Sequence, residues 1–196
     1  MFNRRDDKPV TKVSNPLQAT RSSMIEFNIG DLKGTGLYRF NKIIEMKFGD
    51  RTVTRYLIFS KSENTEYVFE VVPGNHGQLE CYLFGLADTM PFSEDFLEIA
   101  GQKYLTTPNG NEYERCVMPE VDDRLEGNGG FSRIYNLETD EIEKEVEIIT
   151  WDYQRDVDGR LEFLNIEMPQ DTGMFRIFIG EIIEDIFFKF FQSTEQ

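Results

Sequence analysis

Histidine and cysteine are nearly absent from this sequence, which contains one histidine and two cysteines in 196 residues. Ser-His-Asp and Cys-His catalytic arrangements need an imidazole base, and the single candidate, His76, falls in a predicted hairpin turn. Cys81 and Cys116 are far apart and show no CxxC spacing. The sequence therefore argues against histidine-dependent nucleophilic catalysis, a zinc site and a disulfide framework. It also contains no cofactor motif, and no cofactor is predicted.

Long apolar runs are also missing, since no stretch approaches the roughly 18 residues that a membrane span needs. The first residues, MFNRRDD, have no apolar stretch behind their arginines, so a signal peptide is not expected. We therefore expect a cytoplasmic protein without a transmembrane segment.

Positive charge is scarce, and the formal net charge is −15. The basic residues concentrate at the start, where residues 1–24 carry five Lys or Arg against two Asp. The rest of the chain is strongly acidic and repels the phosphate backbone of nucleic acids, so no nucleic-acid binding is predicted. Residues 1–23 are polar, contain two prolines and show no apolar period, which predicts a disordered basic arm.

A segment of the sequence occurs twice: EYVFEVVPGNHGQLECYL and EFLNIEMPQDTGMFRIFI align without a gap. The matched positions include the residues that punctuate a turn: Pro73 with Pro169, and Gly77 with Gly173. Proline ends a strand and glycine permits positive φ, so each copy predicts a strand, a turn and a second strand. The copies indicate either a duplication or two ordinary hairpins with similar turn residues.

Two helices are predicted. Ser93 is a candidate N-cap for a short helix over Glu94–Ala100, with Gly101 as its end. At the C-terminus a set of apolar residues follows helical spacing and predicts an amphipathic helix: Ile182, Ile183, Ile186, Phe187 and Phe190.

The remaining pattern is rich in β-branched and aromatic residues and predicts a mainly β protein, or β-rich α+β. We expect two related antiparallel half-barrels or sheets packed together. The boundaries are a basic arm at 1–23, a first half at 24–118, an acidic glycine-containing segment at 119–144 and a second half at 145–196. Residues 119–144 are interpreted as either a connector or a binding loop.

Three groups of residues are candidate sites. The apolar face of the C-terminal segment either docks on the protein's own sheet or binds a protein partner. Trp151 and Tyr153 share one strand face and are either core residues or the lining of a pocket. The third group is a weak candidate for divalent metal binding: Asp122, Asp123 and Glu126.

These features favour a non-catalytic protein-interaction or scaffold module. The alternative is a small-ligand binder or a carboxylate-based enzyme with a pocket between the two halves. Self-association is a third interpretation.

Three stretches of the sequence resemble a known family: LQATRSSMIEF near the start, Glu112–Arg115, and WDYQRDVDGRLEFLNIEMPQDTGMFRIFIGE. They are similar to the YjfK-like bacterial proteins, a family of unknown function that tends to be encoded near homologues of phage-shock protein A. The resemblance implies a cytoplasmic bacterial protein linked to an envelope-stress system. It implies no catalytic residue.

Overall fold

The computed structural model describes residues 10–13, 15–20, 23–27, 37–60, 65–74, 77–116, 127–136, 139 and 141–193. These ranges contain one α-helix, α1 (Glu94–Ala100), and short 3-10 turns at Pro16–Gln18 and Asp185–Phe187. They also contain thirteen strands: β1 (Val10–Val13), β2 (Ser23–Phe27), β3 (Leu37–Phe48), β4 (Arg51–Ser60), β5 (Thr65–Pro73), β6 (Leu79–Pro91), β7 (Tyr104–Thr106), β8 (Glu112–Arg115), β9 (Asn128–Tyr135), β10 (Ile142–Val157), β11 (Arg160–Pro169), β12 (Met174–Ile182) and β13 (Phe188–Ser193). The mainly β prediction is confirmed.

Eight of the strands form one closed antiparallel barrel in the order β3-β4-β5-β6-β12-β11-β10-β9. Closure depends on β9, which pairs with β10 on one edge and with β3 on the other. The expectation of two packed half-barrels is therefore corrected to a single barrel. The first half supplies β3 to β6 and the second half supplies β10 to β12. The closing strand comes from the 119–144 segment, so its residues 128–135 are part of the barrel wall.

Two additional layers cover parts of the barrel's outer surface. On one side β13, flanked by β1 and β2, extends the sheet beyond β3 and packs Phe188 and Phe190 against Tyr56 and Phe69. On the other side α1 and the β7–β8 hairpin cover β10, β11 and β12. Aromatic side chains fill both interfaces because they bury a large apolar area per residue. The barrel is thus covered in two separate places by outer layers that do not share a cluster.

The internal helix is confirmed, together with its predicted cap. Ser93 Oγ accepts a hydrogen bond from the Phe96 backbone N–H at 3.0 Å, and the helix ends at Gly101. Ala100 is fully buried against the barrel, and Phe96 packs edge-on against Phe175. A local signal was sufficient here, since an N-cap acts within three residues of the helix start.

The prediction of a C-terminal helix is wrong. The chain continues as β12 to Ile182, makes a short turn and then forms β13, which is paired on both edges with β1 and β2. From Phe188 onward the side chains alternate, because Phe188 and Phe190 are buried while Lys189 is exposed. The same apolar residues fit both periods, and pairing with two neighbouring strands selects the extended form.

The basic arm also contributes to the fold. Val10–Val13, which the sequence predicts to be unstructured, forms β1 and pairs with the end of β13. Tyr56 donates its hydroxyl hydrogen bond to the Pro16 carbonyl at 2.7 Å. The described part of the arm is therefore attached to the outer layer over β4.

No helix among the described residues is long and apolar enough to cross a membrane.

The two similar sequence segments both fold as hairpins, β5–β6 and β11–β12. They lie side by side because β6 pairs with β12. Phe84 and Gly180 directly follow the two segments and are therefore equivalent to each other, and these two residues pair across the β6–β12 contact. A local twofold axis therefore passes between Phe84 and Gly180 and relates the two hairpins, where the two halves of the chain meet.

Candidate functional site

The barrel interior contains a charged cluster centred on Arg55 of β4. Its Nε donates to Glu70 Oε2 at 2.6 Å, and its Nη1 contacts Glu167 Oε1 on β11. Nη2 donates to Asn165 Oδ1 at 3.3 Å, and Asn165 Nδ2 in turn donates to Asp152 Oδ1 at 2.7 Å. Arg55, Glu70, Asn165 and Glu167 are each less than 9% exposed. This chain of polar contacts connects strands from both halves through the middle of the barrel.

Apolar side chains of the described barrel strands form one buried cluster inside the barrel. The Arg55 guanidinium carbon lies over the Phe178 ring, 6.0 Å from the ring centroid. A cavity of about 20 Å³ remains beside Arg55, lined in part by Thr150 and Asn128. That volume holds about one water molecule. An eight-stranded barrel either packs its interior with side chains or holds one small ligand, and the described side chains around Arg55 are of the packed kind.

Trp151 and Tyr153 lie on the outer face of β10, under α1 and the β7–β8 hairpin. Their exposed fractions are 1% and 0%. The Tyr153 hydroxyl lies 2.7 Å from the Ala100 carbonyl oxygen and 2.6 Å from that of Gln102, so it fastens the end of α1 to the barrel. Burial raises the pKa of Tyr153 to about 12. The structure thus places both side chains in the core, and neither of them lines the groove described next.

An open groove of about 460 Å³ runs over the outer surface of the barrel, between the two outer layers. We call it the interhalf groove because both halves of the chain line it. Its apolar residues come from both halves: Tyr67, Leu83, Val157, Leu161 and Ile179. Its two glycines and its charged residues are Gly85, Gly180, Arg160, Glu162 and Glu181. Five neighbouring strands, namely β5, β6, β12, β11 and the end of β10, therefore form one concave surface.

Glu162 is held in place at one end of this groove. Its Oε1 accepts hydrogen bonds from Tyr113 Oη at 2.5 Å and from Arg155 Nε at 2.6 Å. Burial disfavours the charged form, but these two hydrogen bonds and the charge of Arg155 outweigh it, so the pKa of Glu162 is lowered. Burial and the neighbouring carboxylate raise the pKa of Tyr113 to about 12. The carboxylate is therefore ionised at neutral pH and is not a proton donor.

Glu181 lies directly opposite Glu162 in the β11–β12 ladder and is exposed. Arg160 lies two residues before Glu162 on β11 and is also exposed. The groove thus combines an apolar floor with charged side chains of both signs at its β11 end. Such a surface can bind an apolar group and orient a charged one beside it.

Of the five C-terminal residues predicted to bind a partner, two are buried in the structure and three are exposed. Ile183 and Phe190 are buried, at 4% and 2% exposure, and belong to the outer layer. The other three are exposed, at 47%, 64% and 37% respectively: Ile182, Ile186 and Phe187. We call these three residues the C-terminal surface. Ile182 follows Glu181 on β12, and its side chain points to the opposite face of that strand.

Other sequence-based candidates fall outside the described residues, namely His76 and the three acidic residues Asp122, Asp123 and Glu126. Within the described ranges, no group of three or more His, Cys, Asp or Glu side chains is arranged to hold a metal ion.

The sequence analysis allowed a pocket between the two halves, but it missed Arg55 and the residues that line the groove. Arg55 carried a signal, because it alternates with Val53 and Leu57 on the face of β4 that turned out to be buried. A charged side chain at an inward position predicts a buried partner. The groove carried none, since its lining residues come from strands that are distant in sequence.

Comparison with protein-family models, with curated proteins and with solved structures gives no match. The resemblance to the YjfK-like proteins therefore stays a prediction, as does the link to envelope stress that it implies.

Proposed function

We propose that this chain is a non-catalytic interaction module that binds a protein partner at its outer surface. The observation that carries the proposal is the barrel interior, in which the described side chains pack around the ion pairs of Arg55 with Glu70 and Glu167 and leave a cavity of about 20 Å³ beside Arg55. That cavity has no room for a substrate. We therefore place binding on the outside of the barrel.

The outer surface offers apolar side chains for such a contact. Ile182, Ile186 and Phe187 of the C-terminal surface are exposed beside the acidic residues Glu184 and Asp185. Exposed apolar residues rimmed by charge are typical of protein-binding surfaces. The fixed, ionised state of Glu162 supports the non-catalytic part of the proposal, because a general acid needs a raised pKa rather than a lowered one.

The proposal is tested by affinity purification from the source cells, with the tagged chain expressed at its natural level. We expect a stoichiometric protein partner with the unaltered chain and its loss with the double variant Ile186→Asp/Phe187→Asp. The matched control is Ile142→Asp, which alters an exposed isoleucine on β10 at 50% exposure. All variants are first compared by thermal unfolding.

Two results would contradict the proposal. One is the absence of any stoichiometric protein in all three samples. The other is a purified chain that carries a small molecule in native mass spectrometry and no protein. The second result would favour the small-ligand alternative, with the interhalf groove as its site.

A further inference from the structure

We infer that the interhalf groove binds a short peptide segment of the partner that combines apolar side chains with a lysine or arginine. This inference rests on the proposed function and adds a second contact surface to it, together with the chemistry of the occupant.

The first argument is the exposed apolar floor. Leu161 and Val157 are 42% and 36% exposed, although they lie beside the half-buried Tyr67 and Ile179. Leu83 belongs to the cluster under one outer layer, and Ile179 packs against the cluster under the other. The groove therefore lies between the two outer layers, and neither layer covers it. An occupant that buries one leucine-sized side chain there gains roughly 10- to 150-fold in affinity.

The second argument is the size of the groove. Its volume of about 460 Å³ lies in the range of sites that bind compact ligands. Its lining comes from five neighbouring strands, which at about 4.8 Å per strand spacing is roughly 19 Å. An extended peptide covers that length with about five or six residues. The groove therefore fits a short extended segment.

The third argument is charge. Glu162 and Glu181 are directly opposed on neighbouring strands, and like charges in that position destabilise a sheet. Arg155 balances Glu162, whereas no described Lys or Arg lies within ion-pair distance of Glu181. A cation from the occupant beside Glu181 would relieve the repulsion. The net charge of −15 attracts the same cation over a longer range.

Arg160 determines where that cation lies. Its guanidinium repels a second positive charge, so the lysine or arginine of the occupant is expected at the Glu181 side of the groove. Arg160 and Glu181 therefore have opposite effects on the affinity for the same ligand. A groove that bound its ligand through apolar contacts alone would show neither effect.

The experiment selects a phage-displayed library of random dodecapeptides on the full chain at physiological salt. The affinities of the selected peptides are then measured by fluorescence anisotropy. We expect peptides with net positive charge and at least one large apolar residue. Leu161→Asp should weaken their binding by about tenfold or more. Glu181→Gln should weaken it by roughly threefold, and Arg160→Gln should strengthen it by a similar factor. Glu98→Gln and Ile142→Asp are the controls, because both residues are exposed and lie outside the groove and the C-terminal surface, and they should change nothing.

Three results would overturn the inference: no peptide is enriched, acidic peptides are enriched, or the selected peptides bind Leu161→Asp as tightly as the unaltered chain. If Leu161→Asp fails to fold, Val157→Asp replaces it. Failure of this inference can be distinguished from failure of the proposed function. A cellular partner that survives Leu161→Asp and is lost with the C-terminal variant leaves the proposed function standing and removes the groove.

Discussion

Arg55 on β4 contacts Glu167 on β11 across the inside of the barrel, and both side chains are more than 90% buried. The two residues are 112 positions apart in the sequence and belong to different halves of the chain. Glu70 Oε2 accepts a second interaction from the same guanidinium. One arginine thus joins the two halves at their centre.

Replacing this arginine is expected to destabilise the protein strongly. Arg55→Met leaves two buried carboxylates without their cation, and breaking a buried ion pair from one side costs about 3 to 5 kcal/mol. The free energy of unfolding in urea measures the effect. The triple variant Arg55→Met/Glu70→Gln/Glu167→Gln is the control, and it should recover part of the loss because no charge remains buried. A single variant as stable as the unaltered protein would show that the cluster is not formed.

The close approach of β6 and β12 predicts a specific glycine requirement. A Cβ at Gly180 would lie 2.3 Å from the Leu83 carbonyl oxygen and 2.6 Å from the Phe84 ring. Gly180→Ala should therefore lower the free energy of unfolding by about 1 to 3 kcal/mol. Gly129→Ala is the matched control, since a Cβ there meets nothing within 4 Å. Equal stability of the two variants would contradict the strand pairing at the local twofold.

The C-terminal strand predicts opposite outcomes for two apolar residues. Phe190→Ala should cost about 3 to 5 kcal/mol, because the side chain is 2% exposed and packs against Phe40, Tyr56 and Phe69. Ile186→Ala should change the free energy of unfolding by less than about 0.5 kcal/mol, since Ile186 is 64% exposed. In an amphipathic helix both residues would lie on the docked face. Similar costs for the two would therefore favour the helix.

The lowered pKa of Glu162 predicts a pH-dependent contribution to stability. Its pKa is lower in the folded than in the unfolded chain, so the unfolded state binds the proton first as the pH falls. The stabilisation is present above the ordinary carboxyl pKa of about 4.3 and is lost as the pH falls through the lower value of the folded state. Glu162→Gln should therefore destabilise at pH 7 and have a progressively smaller effect below pH 4.

Chemical denaturation from pH 7 to pH 3 measures this dependence. Glu184→Gln is the control, because its side chain is exposed and lies outside the Tyr113 and Arg155 contacts. A difference between Glu162→Gln and the unaltered chain that stays constant over this range would contradict the lowered pKa.

Local features were predictable from the sequence where a few neighbouring residues determine the conformation. The Ser93 cap and the turn after β10 are examples. In that turn Asp158 and Gly159 both have positive φ, at 54° and 83°, which is the geometry of a tight hairpin turn. Gly159 N–H also donates to Asp156 Oδ1 at 2.9 Å. These interactions span at most three residues and do not depend on the rest of the fold.

Features that depend on distant pairing were not predictable. The run from Ile182 to Phe190 satisfies the helical period, but Ile182 pairs with β6 and the strand that begins at Phe188 lies between β1 and β2. Barrel closure follows from pairs such as Ile43 with Tyr135, which no local pattern signals. The groove is a product of that closure. Its recognition from sequence would require knowing that β6 lies beside β12.

The closing role of β9 has a consequence for synthesis of the chain. The strands β3 to β6 emerge first, but their neighbours in the barrel, β9 and β12, are made at least 37 residues after the end of β6. Until then the nascent chain presents two strand edges whose backbone groups have no barrel partner, and such edges pair readily with other chains. The protein therefore passes its period of greatest aggregation risk during synthesis, before β12 has been completed at residue 182. Conditions that slow translation between β6 and β9 should lower the yield of folded protein more than equal delays after β12.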